Sequence, residues 1–101
     1  MSGVSYPYAY AYETVAASQT AQVLGGTGAV GDYLHRIVVT VSTALTGTVT
    51  ILDGSTSIAV VPASTTIGVY SIELNMRSAT GAWKVTTGAG VSVIGVGIFS
   101  A

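Results

Sequence analysis

From Val30 onward, short runs of β-branched residues alternate with Gly, Pro, Asp-Gly or Ser-Thr punctuation. The spacing is close to the roughly 8–12 residues per strand and turn that mark sandwiches and barrels. No long segment carries apolar residues at i, i+3, i+4 and i+7 between caps, so helices are not expected. The rhythm predicts strands over 13–17, 20–24, 34–43, 47–53, 56–61, 68–76, 82–87 and 91–99. The expected fold is therefore all-β: a single antiparallel β-sandwich of about eight strands over residues 13–101, preceded by an extended arm over residues 1–12.

Turn chemistry supports these boundaries. Asp53-Gly54 sits between Val49-Thr50-Ile51-Leu52 and Ser57-Ile58-Ala59-Val60-Val61, and Asp-Gly tolerates the positive φ of a tight hairpin. Pro62 has no N–H for a ladder and ends the second of these strands, with 63–66 crossing to the next. Gly81 and Gly88-Ala89-Gly90 mark later turns.

Alternation along the strands separates one wet face from several dry ones. In 69–76, Tyr70, Ile72, Leu74 and Met76 point one way and Ser71, Glu73 and Asn75 the other. By contrast, 37–41 and 91–99 put apolar groups on both faces, as strands do when both sides are covered. With no helix available as a cover, a second subunit is the expected one.

Composition narrows function mainly by exclusion. Half of the residues are hydrophobic and only 7% are charged, against roughly 25% in ordinary soluble domains. The remaining polar residues are mostly Ser, Thr and Gly, which suit a permanent contact because burying them costs little desolvation. Arg36, Arg77 and Lys84 are scattered and the net charge is -1, so no nucleic-acid footprint exists. The absence of Cys excludes disulfides, thiolate metal sites and thiol nucleophiles. No apolar run approaches the 18 or so residues of a membrane helix, and MSGVSYPYAYAYE does not read as a secretory leader.

The arm holds the most distinctive side-chain pattern. Tyr6, Tyr8, Tyr10 and Tyr12 recur with period 2, and Pro7 favours an extended chain. Such a stripe is expected to cover the domain's own core or a neighbouring subunit, since amphipathic Tyr is favoured at interfaces. A sugar-stacking platform is the alternative. Trp83 is expected to plug the core or a subunit interface.

Other motifs fail on context. Gly26-Thr27-Gly28-Ala29-Val30-Gly31 matches G-x-G-x-x-G, but the dinucleotide fingerprint needs a helix at the glycines, and 34–41 is β-branched. His35 and Asp32 could belong to a hydrolase triad, yet no Ser sits in a G-x-S-x-G elbow, so His35 reads as a polar strand start. Glu13 and Glu73 could form a glycosidase pair only if folding united them. One His and four scattered carboxylates make no metal-ligand spacing. No catalytic, cofactor-binding or metal-binding residue is assigned.

The segments 31–39, 48–54, 83–88 and 91–93 resemble small virion proteins of tailed bacteriophages, with capsid decoration, or cement, proteins the nearest group. The likeness spans roughly residues 20–100, rests on turn and strand pattern, and leaves residues 1–12 outside. It implies a jelly-roll sandwich that forms a homo-oligomer, a trimer above all. Made in the host cytoplasm, such a protein binds the major capsid protein on the outer virion surface, without cofactor or catalysis. A receptor- or carbohydrate-binding module of a phage fibre or tail is the alternative.

Overall fold

A computed structural model describes residues 10–43 and 48–100. It holds eight strands: β1 (Ala11–Val15), β2 (Gln22–Val23), β3 (Tyr33–Val41), β4 (Val49–Asp53), β5 (Thr56–Val61), β6 (Gly68–Arg77), β7 (Trp83–Thr86) and β8 (Val91–Ile98). They form two antiparallel four-stranded sheets, ordered β1-β8-β3-β6 and β2-β7-β4-β5. Consecutive strands change sheet at every connection except β4–β5. That alternation is the double Greek key of a jelly roll. The expected all-β sandwich is thus the fold, and the expected strands recur with their ends shifted by a few residues. At the N-terminus, β1 begins at Ala11 and pairs with β8 from Gly97 to Val93, so Ala11 and Tyr12 belong to the sandwich and not to an arm. Tyr6 and Tyr8 lie outside the described residues.

The core follows from period-2 alternation. Val15, Leu34, Ile37, Val39, Val41, Val91 and Val93 from the first sheet meet Val49, Ile51, Val61, Trp83 and Val85 from the second, with Leu24 between the edges. Most are β-branched, which suits a pleated buried surface. Tyr70, Ile72 and Leu74 pack against this core from β6, as the alternation predicts, while Met76 at the far end is 38% exposed.

One irregularity sets the geometry of that end. Between the aligned positions Gly97/Leu34/Met76 and Val96/Arg36/Glu73, β8 inserts no residue, β3 inserts His35, and β6 inserts Leu74 and Asn75. Asn75 takes a φ of 51° to absorb the extra length. The bulge reverses alternation at His35, so Leu34 and Ile37 both face the core. Without it, a strict two-residue period would place them on opposite faces.

Two glycines are needed for close approach. A Cβ at Gly97 would sit on the Tyr33 carbonyl oxygen, and one at Gly95 would press on Leu24 Cδ1 at 2.8 Å. Gly97→Ala is expected to cost about 2 kcal/mol, the scale of overpacking in a well-filled interior. Gly88, which has no atom within 4 Å of an added Cβ, serves as the comparison, with Gly88→Ala within about 0.5 kcal/mol of wild type. Urea denaturation of both variants measures the difference.

Candidate functional site

Polar residues flagged in the sequence are consumed by structure. The Asp32 carboxylate accepts hydrogen bonds from Ala29 N (3.0 Å), Ser100 N (3.0 Å) and Ser100 Oγ (2.7 Å). His35 instead stacks on Tyr10, with ring centroids 4.7 Å apart and planes at 22°. Its Nδ1 is buried and has no hydrogen-bond partner among the described residues. No Ser-His-Asp relay is assembled from this pair.

Glu13 and Glu73 are also kept apart. They lie on β1 and β6, at opposite edges of one sheet, and three strand spacings separate them by roughly 14 Å. That exceeds the roughly 5–9.5 Å between the carboxylates of glycosidases. Glu13 ties the two sheet edges together: Oε2 accepts from Gln22 Nε2 (2.9 Å) and Oε1 from Gly25 N (2.9 Å). Glu73 faces Arg36 in register across β3 and β6.

The glycine-rich loop spends its amides internally. Gly26 N and Gly28 N donate to Ser100 O, and Gly31 N to Ser78 O and Oγ. A β-strand, not a helix, follows it, so the geometry that would cradle a pyrophosphate is missing. Among the described residues, no group of three His, Cys, Asp or Glu side chains could hold a metal ion. No helix among them is long and apolar enough to cross a membrane.

Trp83 fills the core. It is 1% exposed, and its Nε1 donates to Asp32 O at 2.9 Å. Of the two places open to it from sequence, it takes the core, and its ring is out of reach of any partner or sugar.

What stays exposed is the outer face of the β1-β8-β3-β6 sheet. Register places Tyr12, Val96, Arg36 and Glu73 in one row across it, and Thr14, Ile94, Val38 and Ser71 in the next. Beyond the first row come Ile98, Tyr33 and Arg77, with Tyr10 beside them. Tyr12 is 71% exposed and Ile98 51%, while Ile94, Val96 and Val38 are half-buried. The Tyr33 hydroxyl donates to Asn75 Oδ1 at 2.9 Å. Burial, the adjacent Tyr10 and the Glu73 carboxylate all raise its pKa above the ordinary phenol value, so it stays neutral at physiological pH.

This is the second apolar face expected for 91–99. On β3 it is narrower than expected, since only Val38 of 37–41 points outward as an apolar group. Tyr10 and Tyr12, two of the four stripe tyrosines, both belong to it. Sequence reading missed Tyr33 and His35 as members, because their place depends on the bulge.

A second apolar feature lies at the sandwich edge formed by β5 and β6. A groove of about 500 Å³ runs there, lined by Val60, Val61, Thr65, Val69, Tyr70 and Ile72 among others. Thr65 Oγ1 donates to Pro62 O and the Tyr70 hydroxyl to Thr66 O, which fixes the loop closing one end.

No protein-family model matches this chain, and no curated protein or solved structure matches it significantly.

Proposed function

We propose that this chain is a non-enzymatic virion structural protein, a capsid decoration or cement protein. In this reading it self-associates, as a trimer, and binds the major capsid protein on the outside of a phage shell. The observation that carries it is the apolar outer face of β1, β8 and β3 in a chain with only 7% charged residues. Covering the apolar part of this face gains on the order of 25 cal/mol per Å² of apolar surface, and its charged members Arg36 and Glu73 stand in register with each other. Symmetry multiplies each modest contact over many copies.

Co-sedimentation with the matching capsids tests the reading. Wild type is expected to pellet with capsids at micromolar concentration, and Tyr12→Ser with Ile98→Asp to bind on the order of tenfold more weakly. Both positions are exposed, so the fold is expected to tolerate the changes. A wild-type protein that stays in the supernatant overturns the reading.

The exposed Tyr12 ring beside Tyr10 also supports a second reading, a carbohydrate-binding module of a phage fibre or tail. Glycan-array binding that is lost in Tyr12→Ser would favour it.

A further inference from the structure

We infer that Arg77, on the β6 side of the outer sheet face, pairs with a carboxylate of the shell protein and not with one from a second copy of this chain. The inference rests on the capsid reading and says which part of the face meets the shell.

The chain has three Lys or Arg residues and four side-chain carboxylates, few enough to account for each acid. Three of the carboxylates are engaged inside the sandwich. Asp32 is 8% exposed and Asp53 6%. Asp32 accepts from Ala29 and Ser100, and Asp53 from the amides of Ala79, Thr80 and Gly81. Glu13 has one oxygen on Gln22 Nε2 and the other on Gly25 N. Only Glu73 is exposed on the outer face, in register with Arg36. Arg77 is exposed in the next outward row. It lies on the edge strand β6, so its single cross-strand neighbour is Tyr33. The face thus carries two guanidinium groups for one carboxylate, and residues 1–9, 44–47 and 101 contain no Asp or Glu to offset the second.

That surplus selects the partner. A guanidinium covered by a neutral surface loses its hydration and gains no opposite charge, which is a net cost. A second copy cannot remove the cost. In any contact between copies, each brings two arginines on this face and one carboxylate not engaged internally, so one guanidinium per copy stays unmatched. The missing acid has to come from a different protein, and Arg77, which has no acid across the ladder, is where it belongs.

The surroundings of Arg77 suit such a contact. The Tyr33 hydroxyl is held by Asn75 Oδ1 at 2.9 Å, and its ring lies 5.7 Å from Tyr10, which stacks on His35. Arginine among packed aromatic rings is the composition in which interface binding energy concentrates, and a guanidinium takes a carboxylate in a bidentate pair. Tyr12, Val96 and Ile98, on β1 and β8, are left for contact between copies, while the β6 side meets the shell.

Charge reversal tests the assignment. Arg77→Glu is compared with Lys84→Glu, which makes the same change of charge on β7 in the other sheet. Neither residue belongs to the buried core, so both variants are expected to keep the wild-type melting temperature and molar mass. Co-sedimentation with the matching capsids is expected to weaken on the order of tenfold or more in Arg77→Glu. In Lys84→Glu, whose charge is remote and screened, it changes by less than about twofold. Wild-type binding by Arg77→Glu, or equal weakening in both variants, overturns the inference and leaves the capsid reading standing. A folded Arg77→Glu protein that loses the wild-type molar mass places Arg77 between copies and overturns it as well. Wild-type protein that does not pellet with capsids overturns the capsid reading itself.

Discussion

Replacing Trp83 by Ala is expected to remove about 3–5 kcal/mol of stability, the range for truncating a buried aromatic ring. The indole is the largest fully buried side chain and lies where the two sheets meet. Its loss leaves a cavity among Val-sized neighbours that cannot collapse to fill it, and strips the Asp32 carbonyl of one of its donors. The Ser78 amide still donates to that carbonyl at 2.8 Å, so the hydrogen-bond share is the smaller one. Trp83→Phe, which keeps much of the apolar volume, is accordingly expected to cost only about 2 kcal/mol. For a domain of this size the Ala variant should melt at least about 12 °C below wild type. Equal melting temperatures for the two variants would mean that the cavity is not the dominant cost.

Asp53→Asn is expected to cost about 3 kcal/mol, because a buried carboxylate that organises a loop loses its charge-assisted hydrogen bonds. Asp53 ends β4, and Oδ2 accepts from Ala79 N (2.8 Å) while Oδ1 accepts from Thr80 N (3.1 Å), Gly81 N (3.2 Å) and Thr80 Oγ1 (3.2 Å). Burial pushes its pKa up, but these donors push it down more strongly, and the net position is below the ordinary carboxylate value. A folded-state pKa below the unfolded one means that the unfolded chain binds the proton first. The stabilisation is therefore complete above the unfolded value of about 4, and it is lost as pH falls through the lower folded value. Denaturation of wild type and Asp53→Asn from pH 7 down to acid should show the gap between them closing below about pH 4. A gap that does not change with pH would place the cost in loop geometry instead of charge.

Asp53 also shows where sequence reading stops. The Asp-Gly pair marked the β4–β5 hairpin correctly, and its turn is Gly54-Ser55 with Gly54 at φ 61°. Yet the aspartate is not there for the turn. Its partners lie 26 to 28 residues away in the β6–β7 connection, and nothing local announces them. The strands themselves were legible because period-2 alternation and turn residues are local signals. Their arrangement into sheets was not, since all but one connection passes between sheets and neighbours in a sheet are distant in sequence.

The candidate surface was legible in the same partial way. The apolar outer face of 91–99 followed from the run of apolar residues at successive positions, and Tyr10 and Tyr12 followed from the stripe. His35 and Tyr33 did not, because their position beside Tyr10 depends on a bulge that inserts different numbers of residues into three adjacent strands. Trp83 carried two readings until burial chose the core. The edge groove left no sequence mark at all, since it is lined from two strands that share no sheet and from the loop between them.

The central claim is that this sandwich works by assembling through the outer face of its β1-β8-β3-β6 sheet. Light scattering of the full chain during size-exclusion chromatography at high micromolar concentration tests it most directly. Wild type should have a molar mass three times that of the 10.1 kDa chain, and Ile98→Asp should shift it toward the single-chain value. Wild-type protein that elutes with the mass of one chain would contradict the account.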